Sequence, residues 1–285
     1  MGKQVEMLAG LRKKWANLSA WGGAAVAEAG VGRQNGQLRG TWIRLEGMPV
    51  HARVSVDPAG SLAVVFVHGI GVASRLMVPI AELLAPYHSV YAPDLPGFGE
   101  SEKPDNALNL SELTDALAGW TRVIGLEGAA FLGNSFGCQI VADLAVRYPE
   151  LVERVVLQGP TIDPRGRQAW RQIARLLRNS RHEPLSHGLI SAQEYPRCGF
   201  RRLAQTFRYA LEDRIEENLP HVRAPALVVR GSKDPIVPQR WAEEAARLLP
   251  MGRLVVVPGA PHTLVYDAPL ELARVVRPFL SGDQV

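Results

Sequence analysis

Residues 129–140 read Ala129-Ala130-Phe131-Leu132-Gly133-Asn134-Ser135-Phe136-Gly137-Cys138-Gln139-Ile140. The apolar run Ala129–Leu132 has the character of a strand buried on both faces of a sheet. The pattern from Ile140 to Arg147 is helical. Between them, Gly133-Asn134-Ser135-Phe136-Gly137 has to turn the chain from strand to helix within a few residues. A serine in so sharp a turn carries strained backbone angles, and residues two positions away must be small so that strand and helix can approach. The strain pushes the hydroxyl out above the sheet, at a helix N-terminus whose free N–H groups favour developing negative charge. Gly-x-Ser-x-Gly on its own is a common pattern; the flanking strand and helix are what distinguish a nucleophile turn from an ordinary loop.

Outward from this turn, the chain alternates strand and helix. Toward the N-terminus, Leu38–Leu45 and Met48–Val56 alternate apolar and polar residues around Glu46-Gly47, which predicts a hairpin of two exposed-edge strands. Leu62–Val67 is again continuously apolar, and strand-like runs recur at Ser89–Ala92, Arg154–Leu157, Ala226–Arg230 and Leu254–Val257. Helical patterns lie near 73–86, 110–125, 136–148, 238–249 and 266–280. This rhythm predicts an α/β protein with a mostly parallel, doubly wound central sheet. One interval breaks it: some seventy residues separate Leu157 from Ala226, with helical stretches near 166–179 and 200–217. A structureless loop of that length would be out of place in a compact domain, so the interval reads as a helical cap over the C-terminal edge of the sheet. The resulting division is an N-terminal arm at 1–37, a core from 38–163 and 220–285, and a cap at 164–219.

A serine hydroxyl needs a base, and the base needs an orienting acid. The chain order that accompanies this kind of turn is serine, acid, histidine. Of seven histidines, only His262, in Pro258-Gly259-Ala260-Pro261-His262, lies in a loop directly after a late strand. His51, His88 and His221 belong to the hairpin, the start of a strand and the wrong edge of the sheet; His182 and His187 fall in the inserted interval; His68 precedes the nucleophile. For the acid, Asp234 in Gly231-Ser232-Lys233-Asp234 follows the strand Ala226–Arg230, with Asp163, after the strand Arg154–Leu157, as the rival. The oxyanion donors are expected to be the amides of Phe136 and of Ile70 in His68-Gly69-Ile70-Gly71, with Gly71 the near alternative. Gly69, Gly71 and Asn134 are expected to border the substrate, and the His68 side chain to be structural.

These segments, together with Asp94-Leu95-Pro96-Gly97-Phe98-Gly99-Glu100-Ser101, resemble the α/β-hydrolase superfamily over about residues 40–280. The resemblance implies the α/β-hydrolase type of sheet with an inserted cap, acyl transfer on a small-molecule substrate, and no metal, flavin or nucleotide cofactor. A serine at position 135 argues against the branches that use an aspartate nucleophile. Esterases, thioesterases, lactonases, perhydrolases, acyltransferases and C–C bond hydrolases share the apparatus, so the triad does not separate them. A carboxylesterase-like enzyme is the first reading, a C–C hydrolase of an acidic ring-cleavage product the second, and a non-catalytic ligand-binding member of the fold the third.

Composition sets the remaining bounds. The chain is 47% hydrophobic and 21% charged with mean hydropathy −0.02, and it contains no apolar run long enough to span a bilayer. Cys138 and Cys198 form no disulfide or metal pattern by spacing and suit a reducing, cytoplasmic setting. The net charge of +4 is unevenly spread: residues 164–223 hold twelve arginines, no lysine and six acidic residues. With no basic block and no nucleic-acid module, this is not a nucleic-acid signal. A solvated helical face, or a genome rich in Arg codons, accounts for the bias; a sharper alternative is one inward arginine holding a substrate carboxylate. The arm could pack on the core, pair two subunits in a homodimer or be disordered; Met7, Leu8, Leu11 and Trp15 at helical spacing, with a helix expected over 3–16, favour packing over disorder.

Overall fold

A computed structural model describes residues 38–55 and 61–282; the expected arm helix lies outside the described residues. The elements run β1 (Arg39–Leu45), β2 (Met48–Ser55), β3 (Val64–Val67), α1 (Val78–Leu84), β4 (Val90–Pro93), α2 (Leu110–Val123), β5 (Ala129–Asn134), α3 (Phe136–Arg147) and β6 (Val152–Gln158). Four helices follow, α4 (Ala169–Asn179), α5 (Leu185–Cys198), α6 (Phe200–Glu212) and α7 (Ile215–Asn218). The chain then returns to the sheet through β7 (Ala226–Gly231), α8 (Gln239–Leu248), β8 (Gly252–Val257), α9 (Leu264–Asp267) and α10 (Pro269–Ser281).

The eight strands form one sheet in the order β1-β2-β4-β3-β5-β6-β7-β8. β2 runs antiparallel to β1 and β4, and the other pairings are parallel. Successive side chains of a strand face opposite ways, so a strand covered on both sides must be apolar throughout. Val65, Val67, Phe131, Leu157 and Val228 join the core shared with α2, α3 and α8. Their neighbours Val64, Phe66, Leu132, Val156 and Val229 join the core shared with α1 and α10. Burying a side chain such as Phe66 completely contributes about 1.5–3 kcal/mol, which is why this sheet is read so easily from its apolar runs.

Two features depart from the sequence reading. Of the two hairpin strands β1 alone lies at an edge of the sheet; β2 is internal, paired with both β1 and β4. Alternating polarity reports a solvated face and says nothing about which strand lies alongside. The inserted interval also holds one more helix than its periodicity predicts, α5, whose pattern is interrupted by Gly188 and Pro196. The stretch expected over 200–217 divides into α6 and α7 at Asp213, whose carboxylate accepts a hydrogen bond from Gln139 of α3 at 2.8 Å.

Candidate active site

The parallel strands all end on one edge of the sheet, and the loops at that edge converge. Ser135 sits between β5 and α3 with φ 55° and ψ −117°, a conformation costing about 1–3 kcal/mol for a residue with a side chain. Surrounding contacts hold it there. Its N–H donates to the carbonyl of Gln158 at 3.0 Å, and its carbonyl accepts from the N–H of Cys138 at 2.9 Å. The turn's glycines are required by close approach: a Cβ on Gly137 would lie 2.2 Å from the Val67 carbonyl oxygen, and one on Gly133 would lie 2.6 Å from the Gly137 carbonyl. Phe136 is the first residue of α3, so its N–H has no acceptor within the helix. Burial pushes the neighbouring Cys138 thiol well up, leaving it a protonated packing group.

His262, in the loop after β8, is buried, and its Nδ1 lies 2.7 Å from Oδ2 of Asp234 in the loop after β7. The other carboxylate oxygen of Asp234 accepts the N–H groups of Ile236 and Val237 at 2.7 and 3.0 Å. Nε2 of His262 is buried with no hydrogen-bond partner among the described residues. The end of β6 joins the two halves of the site. A Cβ on Gly159 would fall 2.8 Å from Cε1 of His262, while Gln158, one residue earlier, accepts from Ser135 through its backbone and donates from its side chain to the His262 carbonyl at 2.6 Å. The Gln158 side-chain oxygen accepts from Asn134 at 2.6 Å. Asn134 thus faces a structural partner inside the site, beside Gly69, whose added Cβ would come within 3.3 Å of its amide oxygen.

The loop His68–Gly71 lies directly on the turn, since a Cβ on Gly69 would also sit 3.5 Å from the Ser135 Cβ. Burial lowers the pKa of His68. The neutral ring donates from Nδ1 to the Gly69 carbonyl and accepts the Leu95 N–H at Nε2, fixing the loop that carries the Ile70 amide. Gly71 meets the four-helix insertion, with Leu203 and Tyr195 where a Cβ would go. Asp163, the rival acid, does not reach the histidine; its carboxylate is held by Arg175 at 3.0 Å and by Arg240, and it caps the turn before α4 through the Arg165 N–H.

Two further contributors escape the motifs. Gln158 is a polar residue that closes the apolar run Val155–Leu157, a signal that was available in the sequence. Asn179, the last residue of α4, reaches from the insertion to accept the backbone N–H of His262 at 3.2 Å and donates to Glu183 at 2.6 Å. Glu183, His187 and Asp267 place one ligand atom each within 4.8 Å of one another. His187 Nδ1 is already committed to Asp267 at 3.0 Å, so the group acts as a strap from the insertion to α9.

The Asp94 loop is structural. Asp94 takes hydrogen bonds from His51, Ser74 and Glu100, and Ser101 bridges the Asp94 carbonyl and the His51 N–H. Among the described residues, no helix is long and apolar enough to cross a membrane.

Known proteins share this architecture. 2-(Acetamidomethylene)succinate hydrolase of Mesorhizobium japonicum is 25% identical over 248 residues, covering 76% of this chain and 87% of its own. 2-Hydroxymuconate semialdehyde hydrolase of Pseudomonas sp. strain CF600 is 29% identical over 221 residues, covering 70% of each chain. The crystal structure of E-2-(acetamidomethylene)succinate hydrolase superposes with a TM-score of 0.74 at 24% identity, covering 86% of this chain and all of that one (100%). The sequence profile described as the Alpha/beta hydrolase family matches residues 64–275, and the chain belongs to that family.

Proposed function

We propose that the protein is a serine hydrolase that cleaves a carboxylic ester, or a related acyl bond, of a small to medium substrate through an acyl-enzyme. The observation that carries the reading is the buried Asp234–His262 pair, whose free Nε2 belongs to a ring packed on the same end of β6 that holds Ser135. Asp234 fixes the proton on Nδ1 and leaves Nε2 as an acceptor. His262 then takes the Ser135 proton as Oγ attacks the carbonyl, and the Phe136 and Ile70 amides receive the oxyanion. The imidazolium, stabilised by Asp234, protonates the leaving group, and water, activated by the same histidine, releases the acid. The chain's own groups supply every proton transfer, and the reading places the reaction in the cytoplasm.

A C–C bond hydrolase is the second reading, favoured by the resemblance to 2-hydroxymuconate semialdehyde hydrolase. Against it, two of the partly buried arginines of the insertion are already neutralised, Arg167 by Glu216 and Arg175 by Asp163. A fluorophosphonate probe tests the shared mechanism. Labelling of the native protein and none of Ser135→Ala is expected, and a native protein that resists labelling refutes the enzyme reading. Comparing kcat/KM for p-nitrophenyl esters with that for a dienoate then decides between the two; a preference for the dienoate overturns the esterase.

A further inference from the structure

Helix α4 is amphipathic in the inverted sense. Its inward face is polar: Gln172 donates to the Gly166 carbonyl, Arg175 pairs with Asp163, and Asn179 accepts from His262. At about 100° per residue, Trp170, Ile173, Ala174 and Leu177 form one stripe on the opposite side, and Trp170 and Leu177 are 66% and 65% exposed. Leu185 and Leu189, in the first half of the next helix, α5, are also largely exposed. Water-facing helices normally carry the reverse pattern, and a patch of this kind marks a contact surface.

The charge around the stripe selects what it meets. Residues 164–182 contain six arginines and no acidic residue. Arg167 and Arg175 are turned inward onto carboxylates; Arg165, Arg171, Arg178 and Arg181 are exposed, and none of these four has a carboxylate partner among the described residues. Arg171 lies over the Trp170 ring at 5.2 Å. A second copy of this face would set arginine against arginine. The four run from the turn before α4 to just past its end instead of gathering at one point, which fits a laterally continuous negative charge. Long guanidinium side chains beside an aliphatic stripe with a tryptophan at one end are what a helix needs to lie in a lipid interface.

We propose that α4 docks the protein on an anionic lipid surface. Ile173, Leu177 and Trp170 enter the apolar boundary while Arg165, Arg171, Arg178 and Arg181 reach the headgroups. The inner face of the same helix holds the His262 loop through Asn179, so the surface-bound protein presents its catalytic edge next to the lipid.

Co-sedimentation of the full chain with phosphatidylglycerol vesicles and with phosphatidylcholine vesicles tests this, at low and high salt. Binding to the anionic vesicles and release by salt are expected. The Ile173→Glu/Leu177→Glu protein should lose at least about tenfold in partitioning, and Arg171→Gln and Arg178→Gln about fivefold each. All four positions are exposed, so an unchanged melting temperature and circular dichroism should accompany the loss. Ser135→Ala should bind as the native protein does, which separates this proposal from the hydrolase reading. Equal binding to both vesicle types, or undiminished binding by the double glutamate protein, overturns it. Absence of sedimentation also overturns it, in favour of an acidic protein face as the occupant.

Discussion

Replacing Asp234 by Asn changes one atom of a buried side chain, and the surrounding hydrogen bonds dictate the consequence. One carboxylate oxygen accepts two backbone N–H groups, from Ile236 and Val237, so the amide oxygen of Asn must stay there. The amide NH₂ then faces Nδ1 of His262, where Asp234 Oδ2 stood at 2.7 Å. Two N–H groups cannot face each other, so the imidazole must carry its proton on Nε2 and can no longer accept from Ser135. The stabilisation of the imidazolium is lost as well. Such a tautomer error costs about 10⁴ in kcat, or ~5 kcal/mol of transition-state stabilisation. The shape of the residue and its backbone hydrogen bonds persist, so the melting temperature should move little. Steady-state hydrolysis of a p-nitrophenyl ester measures the effect, with KM changing far less than kcat. A kcat within tenfold of the native value would refute the assignment, and the acid would have to be sought elsewhere.

Other perturbations read other parts of the frame. Burial alone would raise the Asp94 carboxyl, but hydrogen bonds from His51, Glu100 and Ser74 outweigh it and hold the pKa at about 2. A lowered folded pKa stabilises above the unfolded value near 4 and is lost on acidification toward about 2, a contribution of about 2 kcal/mol. Asp94→Asn should therefore be less stable at neutral pH and lack that acid limb in denaturant titrations; an unchanged limb would refute the account. Asp213 is the opposite case, raised by burial to about 6 despite the bond from Gln139. The unfolded chain ionises first, so stability falls between about pH 4 and 6, and Asp213→Asn should recover up to about 3 kcal/mol above that range and nothing below it. Gly137→Ala places a Cβ 2.2 Å from the Val67 carbonyl oxygen, so α3 must lift from β3. A loss of about 1–3 kcal/mol is expected in thermal melts, with weaker fluorophosphonate labelling.

The sheet was legible because a doubly covered strand segment leaves little room for polar residues: β3 is wholly apolar, and β5, β6 and β7 are built around the apolar runs Ala129–Leu132, Val155–Leu157 and Ala226–Val229. The site was legible to the extent that close approach demands particular residues: the glycines at 133 and 137 follow from the geometry of the turn, and chain order singled out Asp234 and His262, which the structure pairs at 2.7 Å. What escaped notice was held together by contacts distant in the chain. Gln158 and Asn179 act on His262 from 104 and 83 residues away, with no local pattern to announce them. α5 was hidden because Pro196 and Gly188 break its periodicity, although tertiary packing outweighs their poor helix propensity. α4 shows helical periodicity plainly, but periodicity does not say which side faces inward.

The Asn179 hydrogen bond has a bearing on how far this scaffold can be rebuilt. Insertions of this kind invite exchange, since they enter and leave the sheet at two points and leave its strands intact. Here a transplanted insertion lacking an acceptor at that position would strand the buried His262 N–H, at a cost of about 1–3 kcal/mol, in the loop that carries the proposed base. On the proposed mechanism, a chimera that keeps Ser135, Asp234 and His262 is therefore still expected to turn over slowly. Grafts that restore an asparagine at the end of their first helix should outperform grafts chosen on pocket shape alone.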